Sequence, residues 1–202
     1  FFAGKSPLPI DTRKSCCNCA AMKQSKTFRM VLLASLALIS SISLRANEWP
    51  RWRGPDLNGI SKESNWQSKF PTEGPKQLWK NHVGIGFSSM SVSEGRVYTM
   101  GNEADNDSVF CFDAATGKQL WKHSYPCKLD AKFYEGGTSV TPTVDGKTVF
   151  TFSRKGDLFC LNAVDGKVIW TKNLVKELGV EIPTWGFAGS KKKKKNLLIL
   201  NV

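Results

Sequence analysis

The sequence predicts an all-β fold, a β-propeller built from four-stranded antiparallel blades. Two observations predict it: a segment containing short strand-like runs recurs along the chain, and amphipathic helical periodicity is almost absent. Four strands in a repeat of about fifty residues are typical of a propeller blade. The 202 residues hold two complete units and parts of others. Because closed propellers have about four to eight blades, we expect a truncated propeller.

The repeat is clearest in residues 109–123 (VFCFDAATGKQLWKH) and 158–172 (LFCLNAVDGKVIWTK). Both copies have a Phe-Cys pair, an Asp or Asn, a Gly-Lys pair and a Trp at matching positions. An earlier stretch, residues 77–80 (QLWK), repeats the end of the first copy. These matches predict that the chain builds the same unit more than once.

Each unit is expected to contribute its strands in order. β-branched and aromatic runs bounded by Gly and polar residues are typical of strands. The predicted strands lie within residues 88–95, 97–100, 109–113 and 119–123 of the first unit, and within residues 138–146, 149–152, 158–162 and 168–172 of the second. Residues 114–117 and 163–166 are predicted hairpin turns, where a final Gly supplies the positive φ of a type I turn with a bulge. One helical turn is possible at residues 174–178.

The front of the chain is not expected to belong to the fold. Residues 1–21 begin without Met and are interpreted as upstream sequence that is not translated. Residues 22–46 show a basic start, an apolar stretch and a small residue, the pattern of a signal peptide. We therefore expect a periplasmic or secreted protein with no transmembrane domain in the mature chain, an N-terminal extended segment at residues 47–74 and propeller repeats at residues 75–202.

The formal net charge of +12 does not indicate nucleic-acid binding. Residues 47–190 hold 17 basic and 16 acidic residues, so the excess lies at the two ends. A nucleic-acid surface would need its charge on the folded body. Five lysines at residues 191–195 interrupt a third unit where an inner strand is expected, and we interpret them as a possible sequence artefact, with a genuine basic loop as the alternative.

The stretch DAATGKQLW at residues 113–121 resembles the repeat of pyrroloquinoline-quinone (PQQ)-like propellers. The opening EWPRWRGP at residues 48–55 resembles the first segment of secreted bacterial members and is expected to pack along the propeller flank. The resemblance implies that the Trp of one blade stacks on the turn of the next. It assigns this blade-docking role to Trp79, Asp113, Thr116, Gly117, Trp121, Asn162, Gly166 and Trp170.

Catalytic and cofactor-binding residues are not identifiable from the sequence, and no metal site is predicted. His123 is expected at a solvated strand end, and His82 in a structural context just after Trp79. Residues 103–107 (EADND) are expected to form a solvated loop rather than a calcium site. Cys16, Cys17 and Cys19 precede Met22, the start that we predict. The odd number of later cysteines, Cys111, Cys127 and Cys160, predicts at least one thiol that is free or pairs with another chain.

A ligand-facing rim is predicted where the blades begin, near the central funnel in which propellers bind ligands. It comprises Gly86, Phe87, Gly136, Gly137 and Trp185. Packing of these residues within the fold is the alternative interpretation.

Three functions follow from the resemblance. The first is an extracytoplasmic binding or scaffold module for protein or polysaccharide partners, similar to outer-membrane assembly-factor propellers. The second is a quinoprotein alcohol or sugar dehydrogenase with PQQ and Ca²⁺, for which the implied general base, calcium ligands and adjacent cysteine pair have no match in the repeats. The third is a sensor or adhesion module of a larger chain.

Overall fold

The computed structural model describes residues 48–200, apart from 65, 68, 133, 190, 191, 195 and 196; only the backbone of Lys192–Lys194 is described. The prediction of all-β architecture is confirmed, with two four-stranded antiparallel sheets and one short helix in this part of the chain. The residues interpreted as upstream sequence (1–21) and as a signal peptide (22–46) lie outside the described residues, as do residues 191 and 195 of the lysine run. No described helix has the length and apolar character needed to cross a membrane.

The first blade has the strand order β1-β2-β3-β4. Its strands are β1 (Ser91–Ser93), β2 (Arg96–Glu103), β3 (Asn106–Asp113) and β4 (Gln119–Pro126). Every neighbouring pair is antiparallel, and the register of β3 and β4 shifts between Cys111 and Phe112. That irregularity adjoins the first hairpin turn, as the turn-plus-bulge prediction requires.

The second blade repeats this order as β5-β6-β7-β8. Its strands are β5 (Thr143–Asp145), β6 (Thr148–Phe152), β7 (Asp157–Asn162) and β8 (Val168–Asn173), again with a register shift beside the β7–β8 turn. Helix α1 (Leu174–Leu178) begins at the N-cap Asn173, whose side chain accepts from the Lys176 amide. Gly179 ends it at φ +65°. The predicted helical turn is thus confirmed.

The described part of the lysine run forms a strand. Strands β9 (Lys192–Lys194) and β10 (Leu197–Ile199) form an antiparallel pair, so residues in the run take the place of the expected inner strand. Leu198 and Leu200 pack against the apolar cluster beside the second blade.

The acidic stretch at residues 103–107 is not a loop. Glu103 ends β2, Asn106 begins β3, and only Ala104 and Asp105 form the turn. Both have positive φ, +49° and +60°, the backbone of a two-residue type I′ hairpin. The prediction of a longer solvated loop was wrong because acidic residues here extend the two strands.

The main apolar core lies between the blades. Tyr98, Val109, Cys111 and Trp121 from the first blade belong to the same buried cluster as Phe159, Leu161 and Ala163 from the second. β2 and β3 are buried along almost their whole length. By contrast, β8 is exposed at all but its last residue, since no described element covers its outer face.

The opening segment packs at the inner edges of the blades, not along the flank as expected. Trp49 pairs with Val92 of β1 through two backbone hydrogen bonds of 2.8 and 2.9 Å. The Pro50 carbonyl accepts from the Val144 amide of β5 at 2.7 Å. One short segment therefore joins the inner strands of both blades.

Candidate functional site

Each blade has two ends that differ in their contacts. One end carries the β3–β4 turn, Asp113–Gly117, and its counterpart in the second blade, Asn162–Gly166; we call these the docking turns. The other end carries the short β2–β3 and β6–β7 turns and the connections that lead into each next blade; we call it the loop end. The strand pairing defines these two ends. Asn106 lies opposite Pro126 at the loop end, and Arg96 lies opposite Asp113 at the end with the docking turn.

The first docking turn is closed by Asp113. Its Oδ1 accepts hydrogen bonds from the Thr116 amide at 2.8 Å and the Thr116 hydroxyl at 2.7 Å. These bonds hold the pKa of the Asp113 carboxyl below its usual value. The Gly117 amide donates to the Asp113 carbonyl at 2.9 Å. The sequence-predicted trio of Asp113, Thr116 and Gly117 therefore forms one turn.

The second docking turn is held by similar hydrogen bonds from different side chains. Asn162 Oδ1 accepts from the Val164 amide at 2.8 Å, and Asp165 Oδ1 accepts from the Lys167 amide at 3.1 Å. In the first turn Thr116 Oγ1 accepts from the Lys118 amide at 3.3 Å instead. The substitution of Thr by Asp thus preserves the acceptor.

A tryptophan contacts each docking turn in the same way. Trp79 Nε1 donates to the Ala114 carbonyl at 2.9 Å, and Trp121 Nε1 donates to the Ala163 carbonyl at 3.0 Å. Both turns need glycine under the ring: a Cβ added to Gly117 or Gly166 would lie 2.6 Å from the indole. Trp121 belongs to the first blade, so its contact crosses to the second.

The third tryptophan is placed differently. Trp170 is 37% exposed, against 7% for Trp121, although both occupy the same position in their strands. Its ring lies 6.0 Å from that of Phe150 in its own blade. The structure thus brings Trp79 and Trp121 onto docking turns and leaves Trp170 on the exposed face of β8.

A buried polar network lies in the first blade near the loop end. Asn102 Nδ2 donates to Asp107 Oδ1 at 2.7 Å and to the Cys127 carbonyl at 2.8 Å. The Tyr125 hydroxyl donates to Asp107 Oδ2 at 3.5 Å. Burial raises the pKa of Asp107 above its usual value, although these hydrogen bonds act in the opposite direction. Sequence analysis missed this network because it placed Asp107 in a solvated loop.

His123 is partly covered by the second blade. It is half-buried, with its ring 5.3 Å from that of Phe159 in the second blade, and its Nε2 is buried without a hydrogen-bond partner. Burial lowers the pKa of His123. The expectation of a solvated strand end was wrong because the second blade covers this side of β4. His82, by contrast, is exposed and lies 3.7 Å from Glu103.

Two residues of the predicted rim join a row of aromatic side chains at the loop end. The rings of Phe87 and Tyr134 are 5.3 Å apart in an edge-on arrangement, and those of Tyr134 and Trp185 are 5.8 Å apart. Phe87 is 58% exposed and Trp185 52% exposed. We call Phe87, Tyr134 and Trp185 the aromatic row; each comes from a different connection, and Tyr134 was missed from the sequence.

The glycines of the predicted rim allow neighbouring segments of backbone to approach closely. Gly86 is exposed and pairs with Thr138, where an added Cβ would lie 2.4 Å from the threonine hydroxyl. Gly136 and Gly137 are buried, and a Cβ on Gly137 would lie 2.4 Å from the Ile85 carbonyl. Gly136 and Gly137 therefore lie beneath the surface rather than on it, and they let neighbouring connections approach closely.

A cavity of about 270 Å³ adjoins the aromatic row. Asp130, Lys132, Arg154 and Lys155 line it together with Thr184 and Gly186. Tyr134 and Trp185 complete a smaller recess that shares Asp130, Lys132, Arg154 and Thr184 with the cavity. Arg154 had no signal in the sequence beyond being a charged residue two positions after an apolar strand.

The described residues do not fit a calcium-dependent quinone site. No three His, Cys, Asp or Glu side chains in this part of the chain converge on one point. The acids of the 103–107 stretch point apart: Asp107 bonds Asn102, Asp105 Oδ1 accepts from the Leu129 amide at 2.7 Å, and Glu103 faces His82. The adjacent pair Cys16-Cys17 lies outside the described residues.

The three described cysteines are buried thiols and form no disulfide with one another. Burial raises the pKa of Cys111 to about 11 and also raises that of Cys127. High thiol pKa values mean little thiolate at neutral pH, so neither group is poised for nucleophilic chemistry.

Comparison with known proteins agrees with this architecture. Residues 105–185 match the family model described as outer membrane protein assembly factor BamB. With its two like blades and this match, the chain is a PQQ-like β-propeller repeat protein.

Among curated relatives, the outer membrane protein assembly factor BamB of Yersinia pestis is 30% identical over 159 residues. The alignment covers 74% of this chain and 37% of the relative, so the chain spans just over a third of that protein's length.

Solved structures that match part of this chain include a quinohemoprotein alcohol dehydrogenase from Comamonas testosteroni, at 18% identity and a TM-score of 0.43, covering 58% of this chain and 17% of that one. BamB from Moraxella catarrhalis matches at 14% identity and a TM-score of 0.28, covering 45% and 33%.

Proposed function

We propose that this chain is part of an extracytoplasmic β-propeller scaffold that binds protein partners at its loop end. The observation that carries the proposal is the aromatic row, in which Phe87 and Trp185 expose more than half of their surface. Exposed aromatic side chains that already pack on one another lose little conformational freedom on binding, and they are enriched at protein interfaces. The name of the 30% identical relative, an assembly factor, supports a partner-binding role.

The proposed location follows from the sequence. The pattern of residues 22–46 supports export through a signal peptide, and the relative's name places it in outer-membrane assembly. Within this scaffold the docking turns and their tryptophans hold blade to blade. This structural role is supported by the two matching contacts of Trp79 and Trp121 at the end opposite the aromatic row.

Site-specific photo-crosslinking tests the proposal. A benzophenone amino acid is placed at Phe87 or Trp185, and the protein is expressed with its leader in a bacterial host. Val164, equally exposed but in a docking turn, provides the matched control. We expect discrete, protease-sensitive crosslinked species from the loop-end positions alone. Crosslinks of equal yield from Val164, products resistant to protease, or no crosslinks at either loop-end position would contradict it.

A further inference from the structure

The cavity beside the aromatic row is electropositive. Three of its lining side chains, Lys132, Arg154 and Lys155, are cationic and one, Asp130, is acidic. Lys132 Nζ lies 3.7 Å from Asp130 Oδ2 and donates to the Thr184 carbonyl at 3.2 Å, so the single acid is already engaged. The lining therefore has a net positive charge before any ligand enters.

Arg154 gives this cavity a fixed cation. It is only 5% exposed, and its Nη2 donates to the Lys128 carbonyl at 2.7 Å. The contact from Nη1 to the Asp130 carbonyl is long, 3.5 Å, and Nε is buried without an acceptor. No carboxylate in the described residues lies within ion-pair distance of this guanidinium. A buried cation without a carboxylate partner is unfavourable, so a ligand that supplies an anion at this cavity gains binding energy.

Asp107 is the buried acid that interacts with the charge of Arg154, but it does not serve as the hydrogen-bonded anionic partner that Arg154 lacks. Asp107 feels the charge of Arg154, but its two oxygens accept from Asn102 and Tyr125. Asp107 thus lowers the cost of burying Arg154 without occupying its hydrogen-bonding positions.

The size and surroundings of the cavity restrict the ligand. A volume of about 270 Å³ lies below the roughly 300–1,000 Å³ of sites that enclose whole small molecules. It suits a single side chain or chain end rather than a cofactor. Tyr134 and Trp185 lie at the adjoining recess, so a group entering beside Arg154 brings its neighbours against the aromatic row.

We propose that the cavity binds a carboxylate of a partner's extended segment, while an aromatic residue of that segment packs on the aromatic row. The proposal rests on the proposed scaffold function and names the chemistry of the partner. Lys132 and Lys155 attract the acid to the opening, and Arg154 supplies the buried positive charge. The positive lining and the aromatic row together favour an acidic, aromatic segment over a basic or purely polar one.

The test uses two fluorescein-labelled peptides with blocked ends, Gly-Ser-Trp-Ser-Glu-Ser-Gly and the same peptide with Gln in place of Glu. Fluorescence anisotropy measures the affinity of the full chain for each. We expect the Gln peptide to bind about tenfold more weakly, the loss of one charge-assisted hydrogen bond. A third peptide, with Gln and a free carboxyl end, asks whether a chain terminus substitutes for the acid side chain; either source supports the carboxylate site.

Protein variants provide the second arm. The double variant K132E/K155E should weaken binding of the Glu peptide about tenfold or more and leave the Gln peptide almost unchanged. Both lysines are exposed, so folding is retained where replacing buried Arg154 would endanger it. Lys118→Glu, an exposed lysine beside a docking turn, is the matched control.

Equal affinity for the Glu and Gln peptides, an equal loss with Lys118→Glu, or binding of neither peptide would overturn the carboxylate site. Crosslinks at Trp185 combined with equal peptide affinities would leave the scaffold function in place and remove only this inference.

Discussion

Trp121 of the first blade and Gly166 of the second are in direct contact across the boundary between the two blades. The indole occupies the space where any other residue at position 166 would carry its Cβ, and the ring nitrogen donates to the Ala163 carbonyl of the same turn. Ala163 also accepts from Arg96 Nη1 at 2.6 Å. The Tyr98 hydroxyl also donates to this carbonyl, at 3.5 Å. One turn carbonyl of the second blade thus receives three donors from the first, which ties the two sheets together.

Gly166→Ala should destabilise the protein by about 2–4 kcal/mol, because it combines the αL penalty with overpacking against the indole. Gly95→Ala is a matched control: both glycines have φ +72°, but an added Cβ at Gly95 meets nothing within 4 Å. The control should lose only about 1–2 kcal/mol from backbone strain. Urea unfolding measures both. Equal losses would mean that the ring moves aside at little cost.

Trp121→Phe should lower the free energy of unfolding by about 2 kcal/mol or more. The smaller ring leaves a gap between the blades, and the Ala163 carbonyl loses one donor. Trp170→Phe changes the same residue at the equivalent, more exposed position and should cost less than about 1 kcal/mol. Chemical denaturation followed by circular dichroism compares them. A comparable loss for the two variants would refute the distinct role of the inter-blade tryptophan.

Asp107→Asn should become relatively more stable as the pH rises. Burial raises the pKa of Asp107 in the folded protein, so the folded state holds its proton more tightly than the unfolded state. The stability contributed by the protonated form is therefore lost as the pH rises from the unfolded pKa, about 4, through the folded pKa. Urea titrations across this pH range should show that the free energy of unfolding of the variant rises relative to that of the wild type. If the variant instead becomes less stable relative to the wild type at higher pH, the folded protein favours the charged carboxylate.

His123→Phe should remove an acid sensitivity. Burial lowers the folded pKa of His123, so the unfolded state binds the proton first and stability falls as the pH drops below about 6.5. The difference in melting temperature between about pH 7.5 and pH 5 should be smaller in this variant than in the wild type. His82→Gln, which removes an exposed histidine, should behave like the wild type. If His82→Gln reduces the difference as much, the effect does not arise from burial of His123.

The strands and docking turns could be predicted from the sequence because two copies of one unit reinforce each other. The Gly-bounded apolar runs around Val97 and Val149 became β2 and β6, and Leu174–Leu178 became helix α1. The prediction placed strand ends too early, at His123 instead of Pro126, because β4 continues with polar residues that cover the neighbouring blade. Local residue preference cannot reveal which side of a strand a second sheet will cover.

The candidate site was predictable only in part. Phe87 and Trp185 were found because they occupy equivalent blade openings, whereas Tyr134 lies between the repeats and Arg154 lies in a turn that gives no sign of a site. Their positions depend on how three connections fold back at the loop end. Asp107 was misplaced for a related reason, since an acid in a polar stretch gives no sign that Asn102 and Tyr125 will enclose it.

The pairing of Trp49 with Val92, and of Pro50 with Val144, has a consequence for the order of folding. Each blade consists of hairpins between neighbouring strands, contacts that form quickly because the closing loops are short. Pro50 and Val144 lie far apart in the sequence, so closing that loop costs more entropy and is worthwhile only once β5 exists. The opening segment, although synthesised before either blade, is therefore expected to pair with both blades only after β5 has formed, and its tryptophans stay exposed until then.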